Sequence, residues 1–322
     1  MSWQSALACW FLRRQFRPQT LKPDINVGRA RALTAKRVWV PSVPRGWVLR
    51  EQYRPDDAPL RGEWLEPSRT GGAVTDVAPQ RTILYLHGGG YYFCSPQSHR
   101  SLVFELAKRA GARTFSLDYR LAPEHRFPAA LEDAVAAWRR LLADGTPAGS
   151  IVIAGDSAGG GLALATLVAL RDAGDPMPAG AVLFSPWTDL AATGDTIRSN
   201  DGRDPMFSGP AIVRAAQVYL GDAAPTHPYA SPLYADLRGL PPLFMQAGET
   251  EVLLDDTRRV AAKAREAGVQ VECEIWPKMP HVWHIFAPFI PEAGAALDRA
   301  AAFVNQVTSV RAAQSSSETS IV

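Results

Sequence analysis

From Thr82 onward, short apolar runs alternate with longer stretches in which apolar positions recur every three or four residues. The runs Thr82–Leu86, Arg113–Leu117, Ile151–Ala154, Ala181–Phe184, Leu243–Ala247 and Gln270–Trp276 read as strands. The stretches Ser101–Arg109, Pro128–Leu142, Ala158–Arg171, Asp255–Glu266 and Pro291–Val307 read as helices. Strands apolar on both faces, regularly alternating with helices, predict a parallel sheet covered on both sides. Two shorter strands, Val48–Tyr53 and Gly62–Leu65, flank the turn RPDDAP and bring the sheet to about eight strands. The stretch 68–80 reads as a loop.

Three segments fall outside this rhythm. Near the start, Trp3, Leu7, Trp10, Phe11 and Phe16 stand at roughly helical spacing. They predict an amphipathic helix packed on the body of the protein, with contact to a membrane surface or a substrate gate as the alternative. Residues 189–238 are rich in Asp, Gly and Pro, with one helix near Ile212–Tyr219. The closing AAQSSSETSIV is small and polar, and disorder is expected there. The layout expected is N-terminal cap helices over 1–45, core over 46–188, a cap insertion over 189–238, core again over 239–308 and a tail over 309–322.

Composition narrows the function mainly by exclusion. With 34 basic and 32 acidic residues the net charge is +2, which provides no field for gripping nucleic acid. No stretch approaches the roughly 18 apolar residues of a membrane span, and no positive charge precedes the apolar start as in a targeting signal. The three cysteines, Cys9, Cys94 and Cys273, are far apart and lack metal-ligand spacing. A reduced, cytoplasmic setting is expected, and the chemistry that the motifs imply needs neither metal nor organic cofactor.

The chemistry sits at strand ends. Residues 83–90 read ILYLHGGG, a buried strand running into three glycines. Backbone N–H groups in such a loop are free to meet a developing negative oxygen. The segment 151–160 reads IVIAGDSAGG and passes from strand to helix through G-x-S-x-G, the setting in which a serine is lifted out of a sharp turn as nucleophile. Ser157 then needs a base. The chain order Ser, acid, His on such a sheet leaves His281 and His284 beyond the Leu243–Ala247 strand. His281 is favoured because it lies in the loop after Gln270–Trp276, whereas His284 begins the next element. The acid belongs after Leu243–Ala247, where Glu249, Glu251, Asp255 and Asp256 all stand.

Together, HGGG (87–90), DYRLAPE (118–124), GDSAGG (155–160) and HVWH (281–284) resemble the hormone-sensitive lipase-like esterases, bacterial carboxylesterases of the α/β-hydrolase fold. The resemblance runs from about residue 80 to 305. It implies Ser157 as nucleophile, His281 as base, and the N–H groups of Gly89, Gly90 and Ala158 as oxyanion donors. Relatives carry D-P-L-x-D about thirty residues before the histidine; here EVLLD puts Glu251 at the acid position and leaves Asp255 as the alternative. The activity implied is hydrolysis of short- to medium-chain esters of small molecules through an acyl-enzyme. Amide or lactone hydrolysis, a lipase acting at lipid interfaces and a non-catalytic binding protein are the alternatives. Members often form dimers, so a homodimer is an open expectation. Tyr91, Trp187, Met206, Phe207 and Trp283 are candidates for an apolar substrate pocket, against core packing for each.

Overall fold

In the computed structural model, residues 1–37, 41–68 and 81–318 are described. Strands β1 (Trp47–Gln52), β2 (Gly62–Pro67), β3 (Thr82–Leu86), β4 (Arg113–Leu117), β5 (Ile151–Asp156), β6 (Gly180–Phe184), β7 (Leu243–Gly248) and β8 (Val271–Trp276) form one eight-stranded sheet, ordered β1-β2-β4-β3-β5-β6-β7-β8. Pairings β1·β2 and β2·β4 are antiparallel, and the rest are parallel. The six parallel strands therefore deliver their C-terminal ends to one edge of the sheet, where ligand crevices form.

Helices cover both faces. On one side lie α5 (Ala129–Ala143), α6 (Ala158–Ala173), α8 (Gly209–Leu220) and α9 (Leu254–Glu266), and on the other α4 (Arg100–Ala110) and α10 (Pro291–Glu318). Strand β5 shows why the sheet is held from both sides: Ile151 and Ile153 join the first core, Val152 and Ala154 the second. Successive side chains on a strand point to opposite faces, so an unbroken apolar run feeds two cores.

Helix boundaries fall within a few residues of those expected, except that α10 runs past the expected end at Val307 to Glu318. A helix already nucleated and packed over Ala293–Val307 gains one hydrogen bond per added residue, which carries it through a polar stretch. Residues 319–322, and residues 69–80 of the loop expected over 68–80, lie outside the described residues.

Before the sheet, α1 (Trp3–Gln15) and α2 (Arg17–Thr20) lie against the insertion that contains α7 (Thr196–Ser199) and α8, while α3 (Val27–Arg37) is tied through Arg31 to Tyr92, Ala122 and Glu124. Arg13 donates to the carbonyls of Gly202 and Arg203, and Arg214 to that of Thr20. Within α1 the face turned inward is not the aromatic one. Ser5 and Leu12 are buried, and Ser2 and Ser5 bond Glu292, while Trp3, Leu7, Trp10 and Phe11 are exposed. Only Phe16, at the C-cap, makes the apolar contact expected of the set, edge-on to Phe207.

Candidate active site

Ser157 stands between β5 and α6 with φ 52° and ψ −122°, a left-handed conformation that a side chain seldom adopts. Its surroundings over-determine it. Its N–H donates to the Phe184 carbonyl at 2.8 Å, and its own carbonyl accepts from Gly161 and Trp187 at 3.0 and 2.9 Å. The turn can be this tight because Gly159 lacks a Cβ, which would come within 2.0 Å of the Leu86 carbonyl. The end of β3 is thereby pressed onto the first turn of α6, bringing the glycine loop beside the serine.

That loop is anchored at its first glycine. Gly88 donates to Asp156 at 3.0 Å, and Asp156 also accepts from Tyr85 at 2.7 Å and pairs with His99 at 3.2 Å. Burial works to raise the Asp156 pKa, but His99 and the Tyr85 hydroxyl outweigh it and hold the carboxyl below its usual range. His87 stacks on Tyr119 with ring centres 4.3 Å apart, and Tyr119 donates to the His87 carbonyl at 2.7 Å. Burial pushes His87 down to about 3, so the ring is neutral and serves as filling. Gly89 then turns through φ 116°. Among the described residues, no backbone carbonyl takes up the N–H groups of Gly89, Gly90 or Ala158. The last is the first N–H of α6, where helix geometry leaves it free.

Glu251 and His281 follow β7 and β8. His281 Nδ1 lies 2.8 Å from Glu251 Oε2, and both side chains are buried. Ser185 donates to Glu251 Oε1 at 2.7 Å, and so does the Gly248 N–H. With its carboxylate clamped, Glu251 presents one oxygen to the ring. Nε2 of His281, on the far side of the ring, is buried without a hydrogen-bond partner. Burial works to lower the pKa of His281, but the Glu251 charge and hydrogen bond, with Asp204 and Asp156, outweigh it and hold the ring above the ordinary 6.5.

The other candidates are engaged elsewhere. Asp255 accepts from the Thr196 N–H at 3.0 Å and faces Arg258. Asp256 accepts from Thr188 and Asp189 at 2.7 and 2.8 Å, tying α9 to the loop after β6. Glu249 accepts from the Lys278 N–H. His284 bonds Gln246 at 2.8 Å between Phe184 and Trp283, and burial pushes it down to about 3.

Of the expected pocket residues, Tyr91 stacks on Tyr219 at 3.7 Å, Trp187 packs beside Tyr91, and Trp283 packs on Trp276 and His284. All three are core residues, at most 2% exposed. Trp283 in particular is filled around on the sheet face opposite Tyr91, because it is the first residue of a tight turn that dives into the second core. Met206 and Phe207 keep partial exposure, and the Phe207 ring meets His281 edge-on at 5.1 Å.

Two supporting side chains escaped the sequence reading. Ser185, with φ 45°, donates to Glu251 and accepts from the Val282 N–H at 3.1 Å. Its place directly after β6, at the site edge of the sheet, is the signal that marks it. Asp204 is buried and accepts from Val252, Met206 and Phe207 at 2.9, 2.7 and 3.0 Å, and Arg17 donates to the carbonyls of Asp204 and Phe207 at 2.9 and 2.5 Å. No spacing in the irregular insertion points to it.

This arrangement can carry acyl transfer: a strained serine, a buried base held by a carboxylate, and free N–H groups at the same sheet edge. Among the described residues no cluster of His, Cys, Asp and Glu suits a metal ion. The profile of a family described as alpha/beta hydrolase fold matches residues 83–285. An acetyl-hydrolase from Streptomyces hygroscopicus is 49% identical over 246 residues, 76% of this chain and 80% of its own length. The crystal structure of EstE5 soaked with p-nitrophenyl butyrate aligns with a TM-score of 0.85 at 39% identity, over 96% of this chain and 100% of that one. An esterase of the bacterial hormone-sensitive lipase family aligns at 0.84 and 38% identity, over 96% and 99%. With the fold, the match and the relatives in agreement, the chain belongs to the α/β-hydrolase family, among the hormone-sensitive lipase-like carboxylesterases.

Proposed function

We propose that this carboxylic ester hydrolase works through Ser157, His281 and Glu251 on esters with small acyl groups. The observation that carries the reading is the buried 2.8 Å His281–Glu251 pair at the sheet edge that also bears the left-handed Ser157 turn. Ser157 Oγ attacks the ester carbonyl carbon while His281 Nε2 takes its proton. The carbonyl oxygen becomes an oxyanion among the N–H groups of Gly89, Gly90 and Ala158, where losing one donor typically costs about 10²–10³ in rate. Collapse breaks the bond to the alcohol oxygen, which leaves with the proton from Nε2. Water then attacks the acyl-serine by the same route, releasing the acid and restoring Ser157. Glu251 fixes the ring tautomer and stabilises the imidazolium without accepting the proton.

Residues 1–45 and 189–238 serve as the cap. Support comes from Phe207, which lies against His281 on a loop tied to the N-terminal helices by Arg13 and Arg17. A cap this close over the base favours short acyl chains, in keeping with the acetyl-hydrolase name of the 49% relative. Free Cys9, Cys94 and Cys273 suit a reduced, cytoplasmic setting, and no helix among the described residues is long and apolar enough to cross a membrane.

Hydrolysis of p-nitrophenyl esters from acetate to palmitate, compared with Ser157→Ala, tests the reading. Activity is expected to peak at short chains and to vanish in the variant. A peak at long chains overturns the small-acyl assignment, and activity that survives in Ser157→Ala overturns the mechanism. Serine-dependent cleavage of amides or lactones but not esters would move the same triad to a different substrate.

A further inference from the structure

Along α1 the positions Trp3, Leu7, Trp10 and Arg14 recur at i, i+4, i+7 and i+11, one stripe of a helix, with Phe11 at its side. The exposures are 72%, 55%, 55% and 47% for Trp3, Leu7, Trp10 and Phe11. The opposite side of the same helix is fastened down. Leu12 is buried, Ser2 and Ser5 bond Glu292, and Phe16 meets Phe207. The stripe is therefore held outward by its seat, and among the described residues no ring contact partners Trp3, Leu7 or Phe11. Its charge narrows the choice of occupant, even with Arg17 and Arg31 paired to Asp201 and Glu124. Arg14 sits over the Trp10 ring at 5.4 Å, so the stripe ends in a cation, and residues 1–37 hold eight Lys and Arg against the single Asp24.

We infer that α1 is a docking surface for anionic lipid headgroups, with Trp3, Leu7, Trp10 and Phe11 entering the interface and Arg14 at headgroup level. Tryptophan rings favour that level of a bilayer because one end is apolar and the other hydrogen-bonds. Basic residues beside an anionic surface add attraction that salt screens. A second copy fits less well, because an isologous contact on this face sets equal positive charges against each other. Docking leaves the helix lying on the membrane, consistent with the lack of a spanning helix among the described residues. Arg13 of α1 and Arg17 at the start of α2 link the N-terminal helices to the 201–207 loop on His281, so a docked protein keeps its site beside the lipid surface.

The test is co-sedimentation of the full chain with vesicles of phosphatidylcholine alone and of phosphatidylcholine with phosphatidylglycerol at roughly 3:1. Variants are Trp3→Ser with Trp10→Ser, and Arg14→Glu. Circular dichroism and hydrolysis of soluble p-nitrophenyl butyrate check that both remain folded. Binding is expected for the mixed vesicles only, weakening with salt. It should fall about tenfold or more in the double variant and about fivefold or more in Arg14→Glu. No binding to the mixed vesicles, equal binding to neutral ones, or unchanged binding by the variants would overturn the inference. So would a dimer in light scattering that the double variant dissolves, since a second copy would then own the stripe.

Discussion

In the proposed mechanism the contact between Glu251 and His281 sets both the tautomer and the charge of the base. Glu251→Gln keeps the shape and an oxygen for Ser185 but removes the charge that outweighs burial at His281. We expect kcat to fall by about 10³–10⁴, the scale seen when a triad carboxylate is made neutral. The pH profile carries the sign. His281 must be neutral to accept the proton, and its folded pKa lies above 6.5, so the acidic limb of kcat/KM belongs above that value in the native enzyme. Removing the carboxylate lets burial dominate, and the limb should move to lower pH. A profile that stays put would detach that ionisation from the pair. In the sequence, loop position is what sets His281 apart from His284, whereas physics alone does not separate Glu251 from Glu249, Asp255 and Asp256. The four carboxylates differ in what they face, which is tertiary information.

Among the elements, the nucleophile turn was the most legible part of the chain. A strand, G-x-S-x-G and a helix in succession specify a local geometry, and local geometry is what a short sequence can encode. Its tolerances follow from the packing. A Cβ at Gly161 would stand 1.9 Å from the Trp187 carbonyl, so Gly161→Ala must push the first turn of α6 away from the loop after β6. We expect a loss of about 2 kcal/mol or more in urea unfolding, together with loss of activity. Gly174→Ala, at the C-cap of the same helix, has φ 71° and meets nothing within 4 Å. It should cost roughly 1 kcal/mol from backbone strain alone and leave kcat unchanged. The helical period of α1 was equally legible, but not which way it faced. Apolar spacing marks a stripe without saying what covers it, and here Ser2, Ser5 and Glu292 fix the seat through polar contacts.

On the scale of the molecule, the insertion and the N-terminal helices were legible only as breaks in rhythm. Their joint comes from Arg17, Asp204 and Phe207, residues that no pattern connects. Arg17→Met keeps the aliphatic stem and deletes the donors to both carbonyls and the ion pair with Asp201. With Phe207 freed from its anchor, KM for p-nitrophenyl butyrate should rise about tenfold, the scale of one lost charged hydrogen bond. An unchanged KM would separate the N-terminal helices from substrate binding. The sheet order carries a further consequence, one for folding. Strands β3 and β5 carry the glycine loop and Ser157 together from the first half of the chain, while Glu251 and His281 follow β7 and β8. Contacts between segments so far apart in sequence must overcome the entropy of closing a long loop. On the proposed triad, a chain stalled with its first six strands joined would already hold Ser157 in its turn but lack Glu251 and His281, so an incompletely folded molecule is expected to be inert toward esters.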